Sequence, residues 1–300
     1  MQLRRGNVAG LAGIADQLAA FHDSAFGNHQ AFGMGISGGV AAGMFHQRQI
    51  AVILQVAAGI GDGPRRAGAD GRAPGGRDID AVIQLGDYIY EQSGGDIRTF
   101  DPDAETISLS QYRTRHSQYK LDADLQLAHQ RYPFIVVWDD HEFANNAYTD
   151  NAGGHNSLFE GSWDDRKAAA MQAYFEWMPM RRPEPDTNPQ RIYRKLSYGT
   201  LIDLFMLDTR IIGRNQQAFA FIGADDNDRT ILGTEQRDWL LDGLSQSNAH
   251  WKIIGQQVMF APLRIAGARI NNDQWDGYTA DRQRLLDHIM QHNITNTCIL

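Results

Sequence analysis

Short apolar runs alternate with segments of helical periodicity along residues 78–300. Six apolar runs predict strands, at 80–85, 134–138, 191–196, 201–207, 251–256 and 294–300. Four segments with apolar side chains at helical spacing predict helices, at 108–130, 164–177, 234–244 and 279–291. Repeated alternation of strands and helices is typical of α/β proteins, so we predict an α/β fold with helices covering both sheet faces.

The first 76 residues have a different texture, because glycine and alanine are dense and aromatic residues are few. Residues 61–76 lack apolar periodicity and are typical of a linker. The apolar run at 50–58 predicts one strand. We therefore interpret residues 1–76 as an atypical leader, either disordered or translated in the wrong reading frame, and residues 77–300 as the main domain.

The composition and net charge of the chain favour some classes of binding partner over others. The chain has 300 residues, of which 42% are hydrophobic and 21% charged, as in an ordinary globular protein. A formal net charge of −8 disfavours nucleic acid or an anionic membrane as the main partner, since both require a basic surface. A small phosphoester remains compatible, because bound metal ions supply positive charge locally.

The sequence contains few features that indicate a cellular compartment. No run of about 18 apolar residues is present, so we expect no integral membrane segment. Cys298 is the single cysteine, which excludes an intrachain disulfide. Arg4 and Arg5 form a twin-arginine pair, but the apolar segment of a convincing signal peptide does not follow them.

Two predicted strands end in acidic residues. The run at 80–85 leads into Gly86 and Asp87, at the strand edge where open α/β sheets bind ligands. Tyr90 follows three residues later and can fold back toward the same point. An aspartate after a strand is also a common turn former or helix cap, so this motif alone leaves both interpretations open.

The second motif places four ionisable residues, Asp139-Asp140-His141-Glu142, directly after the apolar run at 134–138. Burial of such charges costs several kcal/mol each unless they are paired or bind metal. Trp138 and Phe143 flank the run, which disfavours the alternative of a fully solvated loop. Side chains of adjacent residues point in different directions, so we expect that not all four face one site.

Together, the two strand ends favour a two-metal hydrolytic centre. Paired metal ions polarise a phosphoryl oxygen and generate a hydroxide nucleophile. Carboxylates and a phenolate suit calcium, magnesium, manganese or ferric iron. A neighbouring histidine can protonate the leaving alkoxide or stabilise charge in the transition state.

From about Asp78 to Leu300 the sequence resembles the PhoD-type alkaline phosphatases, a branch of the calcineurin-like metallophosphoesterases. The stretches that carry the resemblance occur in order along the chain. They are Leu85-Gly86-Asp87-Tyr88-Ile89-Tyr90-Glu91, Tyr112-Arg113-Thr114-Arg115-His116, Trp138-Asp139-Asp140-His141-Glu142, Tyr174-Phe175-Glu176-Trp177-Met178-Pro179, Leu207-Asp208-Thr209-Arg210, Leu232-Gly233-Thr234-Glu235-Gln236 and Asp273-Gln274-Trp275-Asp276-Gly277-Tyr278.

The resemblance implies a four-layer α/β/β/α sandwich and hydrolysis of phosphate mono- or diesters. It implies that Asp87 bridges metals, that Tyr90 and Asp140 are metal ligands, and that His141 is the catalytic acid or oxyanion partner. The implied cofactors are Ca²⁺ and Fe³⁺, with other divalent metals open, and the implied location is periplasmic or secreted.

The resemblance also implies weaker candidates for phosphate binding, namely Asn145, Asn146 and Arg210. Structural roles are equally open for these three residues.

Two departures from the family pattern affect the expected activity. No cysteine stands upstream of Gly86-Asp87, where the family supplies a cysteine ligand, and the sequence stops at Leu300 before the family's Gly-Asp-x-His motif. We therefore expect an incomplete metal shell and weak or absent turnover. The alternative function is a catalytically inactive fragment or pseudoenzyme that retains the family scaffold.

Overall fold

The structure is a computed structural model that describes residues 40–45, 49–54, 80–93, 99–183 and 190–300. The chain divides into two compact units. One contains Met1–Gln84 and Leu127–Ile135, and the other contains Leu85–Gln126 and Val136–Leu300. The helices and sheets together make the mixed α/β protein that the sequence predicts.

The first unit is built on a four-stranded sheet with the order β1-β2-β3-β4. Its strands are β1 (Val40–Phe45), β2 (Gln49–Leu54), β3 (Ala81–Gln84) and β4 (Phe134–Val136). β2 pairs antiparallel with both β1 and β3. Every residue of β3 and β4 is buried, which explains their uninterrupted apolar sequence.

The predicted leader at 1–76 is described only at β1 and β2, and the predicted strand at 50–58 overlaps β2. The linker at 61–76 lies outside the described residues. The division at residue 76 therefore stays a prediction.

The predicted helix at 108–130 is two helices, α1 (Leu109–Tyr119) and α2 (Ala123–Arg131). The prediction of one continuous helix is wrong at residues 120–122. There the Asp122 carboxylate accepts a hydrogen bond of 2.8 Å from the Leu125 N–H. Aspartate satisfies the free N–H groups of a helix start better than it fits a helix interior, so a second helix begins here.

A second four-stranded sheet forms the centre of the larger unit, with two short hairpins outside it. The hairpins are β5 (Ala147–Tyr148) with β6 (Asn151–Ala152), and β10 (Arg264–Ile265) with β11 (Ala268–Arg269). The sheet contains β7 (Arg194–Tyr198), β8 (Ile202–Met206), β9 (Trp251–Gly255) and β12 (Thr297–Ile299). Its order is β12-β9-β8-β7; β12, β9 and β8 are parallel, and β7 is antiparallel to β8.

Besides α1, this unit contains the helices α3 (Ser157–Glu160), α4 (Trp163–Trp177), α5 (Gly233–Gln246) and α6 (Thr279–Gln291). A buried apolar cluster joins the sheet to α5 and α6. It includes Phe205, Ile254, Leu240, Leu244 and Leu285. This core fixes the carboxyl end of β8, from which the chain continues directly to Asp208 and Arg210.

His116 lies on the face of α1 that packs against α4. The ring is fully buried and stacks on Trp177 with a centroid distance of 6.5 Å, while Tyr174 meets it edge-on. Within the described residues, neither ring nitrogen has a hydrogen-bond partner. Burial, with a smaller effect of the Lys120 charge, lowers the pKa of His116 to about 3.

His116→Phe should make folding stability less sensitive to acid. Because the pKa of the folded state is depressed, the unfolded chain binds a proton first, and stability is lost as the pH falls below about 6.5. For this one group the loss between pH 7 and pH 5 is about 2 kcal/mol. Urea unfolding at pH 7, 6 and 5 should show a correspondingly flatter profile for the variant. His250→Phe, at an exposed position, is the control; equal profiles for His116→Phe and the unmodified chain would contradict the prediction.

Candidate metal centre

Two loops meet at the candidate site, one after β3 and one after β4. Gly86 has φ +109°, and a Cβ placed on it would lie 2.4 Å from both the backbone nitrogen and the Cβ of Asp139. Glycine is thus required twice, for its backbone conformation and for the close approach of the second loop. The acidic residues that follow the two strands are brought together as a result.

Glu142 joins the two loops through a single carboxylate. Its Oε2 accepts hydrogen bonds from the N–H groups of Asp87 at 3.0 Å and Asp139 at 2.6 Å. Its Oε1 accepts from the N–H groups of Tyr88 and Ile89. The Glu142 side chain is therefore a structural acceptor that fixes the backbone around Asp87.

Asp87, Asp140 and His141 form a cluster of ligand atoms that lie within 4.8 Å of one another. Asp87 Oδ2 accepts a hydrogen bond of 2.7 Å from the Tyr90 hydroxyl. Asp87 Oδ1 is buried and has no hydrogen-bond partner in the described part of the chain. A buried carboxylate oxygen without a donor is costly, and a cation at this point would satisfy it, so the residues present fit a metal ion.

The charged groups of the cluster shift one another's pKa values. Burial, followed by the nearby Asp140 carboxylate, raises the pKa of Asp87 to about 6. Burial also acts to raise the pKa of Asp140, but the positive charges of Arg210 and His141 outweigh it and lower that pKa. The two neighbouring carboxylates thus repel each other, and a bound cation would relieve that repulsion.

His141 is held by Glu91, a residue to which the sequence analysis assigned no role. The His141 Nδ1 lies 2.7 Å from Glu91 Oε2, and Glu91 Oε1 accepts a 2.7 Å hydrogen bond from the Asn145 N–H. Burial acts to lower the pKa of His141, but the Glu91 hydrogen bond and the charges of Asp140, Glu91 and Asp87 raise it to about 10. With Nδ1 bound to Glu91, Nε2 is the ring nitrogen that can donate a proton to a molecule bound at the cluster.

The three weaker candidates occupy different positions. The Asn146 N–H donates a hydrogen bond to Asp140 Oδ2 at 2.6 Å, while the Asn145 N–H donates one to Glu91 Oε1. Arg210 has a buried side chain, and its guanidinium pairs with Asp139, with Asp140 at 3.5 Å and with Asp273 at 2.8 Å.

Not all four side chains of the run Asp139–Glu142 face one site, as expected, although the adjacent Asp140 and His141 point the same way. Asp140 and His141 face the cluster, Asp139 pairs with Arg210, and Glu142 turns back to the backbone. The flanking residues Trp138 and Phe143 are fully buried, so the run is not a solvated loop.

Arg115 supports the loop that carries Tyr90. This buried guanidinium donates hydrogen bonds to five backbone carbonyls, those of Tyr90, Gln92, Asp101, Pro102 and Ala104. In the sequence, Arg115 stands at helical spacing between Tyr112 and Tyr119, and in the structure all three are buried on α1. An arginine on an otherwise buried helix face indicates a buried set of acceptors.

The fold and the cluster define a class of protein, an α/β protein with a group of carboxylate and imidazole side chains that could hold a cation beyond the ends of its strands. Comparison with known proteins identifies the family. The model of the PhoD-like phosphatase family matches residues 70–300. The chain belongs to the PhoD-like phosphatase family.

Two relatives illustrate the similarity. The chain is 39% identical over 239 residues to alkaline phosphatase D of Bacillus subtilis (strain 168), which covers 74% of this chain and 40% of that protein. A solved structure described as the structure of PhoD superposes with a TM-score of 0.67 at 37% identity, over 74% of this chain and 45% of that one. The chain therefore spans less than half the length of each of these relatives. Among the residues with described structure, no helix combines the length and apolar character needed to cross a membrane.

Proposed function

We propose that the chain carries a metal centre that hydrolyses phosphate mono- or diesters. The observation that supports the proposal is the buried, unpartnered Oδ1 of Asp87 beside Asp140 and His141. Membership of the PhoD-like phosphatase family supports a phosphoester as substrate.

In this proposal the ligands are Asp87, Asp140 and Tyr90, with Ca²⁺ and Fe³⁺ as the metals that the resemblance implies. When bound, the metal ions polarise the phosphoryl oxygen and activate water for attack on phosphorus. Tyr90 would exchange its hydrogen bond with Asp87 for a bond to the metal. Asn146 keeps Asp140 oriented through its backbone N–H.

His141 is proposed as the residue that handles the leaving group. Glu91 fixes the ring at Nδ1 and favours its protonated form, so Nε2 carries a proton at neutral pH. That proton can be donated to the departing alkoxide oxygen or can stabilise negative charge on the phosphoryl group. We also propose phosphate contacts for Asn145, Asn146 and Arg210. These are weaker candidates, since their described hydrogen bonds and ion pairs are made to other residues around the site.

The remaining proposals rest on resemblance. We propose the four-layer α/β/β/α sandwich as the arrangement of the sheets and helices, and a periplasmic or secreted location. The two four-stranded sheets and the match to the solved PhoD structure support the first of these.

The purified chain should be assayed with p-nitrophenyl phosphate and bis-p-nitrophenyl phosphate, with Ca²⁺ and Fe³⁺ added and then removed by chelation. Weak turnover of either ester that depends on the cations is the expected result. Cation binding without turnover would favour the non-catalytic alternative. Absence of both would contradict the proposal.

A further inference from the structure

Asp273 collects three donors on one carboxylate oxygen. Its Oδ1 accepts hydrogen bonds from Arg210 at 2.8 Å, from Arg214 at 2.6 Å and from Gln217 at 2.6 Å. The carboxylate itself is mostly buried, with 16% of the side chain exposed. Neither the mechanism proposed above nor the family resemblance gives Asp273 a role.

Two of these donors connect Asp273 to Asp140, Arg210 by direct contact and Gln217 through the backbone of Asn146. Arg210 reaches from Asp273 to Asp140, where its Nη2 lies 3.5 Å from Oδ1. Gln217 donates a second hydrogen bond to the Asn146 carbonyl at 3.1 Å, and the Asn146 N–H donates to Asp140. Asp273 is thus linked to Asp140 from two sides.

The guanidinium of Arg210 lies at unequal distances from its three aspartate partners. The guanidinium contacts Asp139 and Asp273 closely, whereas its contact with Asp140 is the longest of the three. An arginine that bound Asp140 tightly would compete with a cation for the same carboxylate. The Asp273 charge draws the guanidinium in the other direction.

The turn that carries Asp273 is fixed by its own contacts. The Asp273 N–H donates to Asn271 Oδ1 at 2.9 Å, and its carbonyl accepts from Arg214 at 2.8 Å. A Cβ on Gly277 would lie 2.0 Å from the Asn272 carbonyl oxygen, so the backbone closes tightly there. The carboxylate is therefore presented by a rigid segment.

We infer that Asp273 is a positioning residue, which holds Arg210 back from Asp140 and keeps the Asp140 carboxylate available to a cation. The inference rests on the proposed function, because it assumes that Asp140 is a metal ligand. It adds a residue whose effect is exerted through Arg210 and Asn146 and not by contact with the metal.

Asp273→Asn tests this inference, since the variant keeps the shape and one acceptor oxygen but removes the charge. We expect the affinity of the purified chain for Ca²⁺, and for Tb³⁺ as a luminescent probe, to fall by about 10-fold or more, as for other groups that orient ligands. The control is Asp276→Asn in the same turn. Asp276 is more deeply buried than Asp273 and also pairs with an arginine, Arg282, at 2.8 Å. The control should lower thermal stability without this loss of affinity.

A double-mutant cycle with Arg210→Gln separates positioning from structural damage. Arg210→Gln removes the competing guanidinium, so by itself it should leave cation affinity unchanged or higher, and Asp273→Asn should have little further effect in that background. A loss of affinity on Asp273→Asn that is as large without Arg210 as with it, or an affinity of Asp273→Asn equal to that of the unmodified or the Asp276→Asn chain, would overturn the inference alone. Failure of the unmodified chain to bind either cation would overturn the metal centre as well.

Discussion

Asp87→Asn is expected to abolish cation binding at the candidate metal centre, and with it any phosphoester hydrolysis. The change replaces a carboxylate oxygen that has no other partner among the described residues with part of a neutral amide. Loss of groups that only orient ligands costs about 10- to 100-fold in affinity or activity, so loss of a direct ligand should cost about 100-fold or more.

The fold should tolerate this substitution. Asp87 has φ +55°, in the left-handed region that asparagine adopts more readily than most residues. Its backbone N–H would still donate to Glu142, so the loop keeps its anchor. Removal of one charge from a crowded acidic cluster should leave thermal stability unchanged or slightly higher.

The measurement is titration of the purified variant with Ca²⁺ and Tb³⁺, alongside turnover of the two p-nitrophenyl esters. Asp203→Asn is a matched control, because Asp203 is a buried carboxylate that accepts hydrogen bonds from the hydroxyls of Ser197 and Ser247 and from Lys195. Asp203 lies within β8 and not in the loop that follows β8 and carries Arg210. Cation affinity of Asp87→Asn equal to that of the control would show that the site is misplaced.

The sequence predicted the elements and part of the cluster for the same physical reason. Buried strands require apolar runs, and ionisable residues directly after such runs need partners or a metal. Asp87, Asp140 and His141 carry that signal, and the structure brings their ligand atoms together. The run at 139–142 also indicated that its side chains diverge, but alternation alone does not say which residue faces which partner.

The supporting residues could not be predicted because their partners are distant along the chain. Glu91 contacts His141 across 50 positions, and Asp273 contacts Arg210 across 63. A single sequence holds no record of such pairings. Glu91 and Asp273 stand within the stretches that resemble the family, yet residue type alone leaves each one indistinguishable from a solvated carboxylate.

Gly86→Ala should disrupt the fold and the site together. At φ +109° an L-residue is strained by about 1–2 kcal/mol or more. The new Cβ would also lie 2.4 Å from the Asp139 backbone nitrogen, a contact that only a shift of the chain can relieve. Overpacking adds about 1–3 kcal/mol, so the free energy of unfolding should fall by about 3 kcal/mol in total.

Gly199→Ala is the matched control, because Gly199 also has positive φ, +57°, but no atom lies within 4 Å of its added Cβ. At φ +57°, left-handed strain of about 1 kcal/mol should lower the melting temperature of the control by about 2–4 °C, against about 6–12 °C for the loss of about 3 kcal/mol in Gly86→Ala. Only Gly86→Ala should also weaken Ca²⁺ and Tb³⁺ binding, since the displaced backbone separates Asp87 from Asp140. Equal melting temperatures and equal cation affinities for the two variants would mean that the loops after β3 and β4 are not in the close contact on which the metal centre depends.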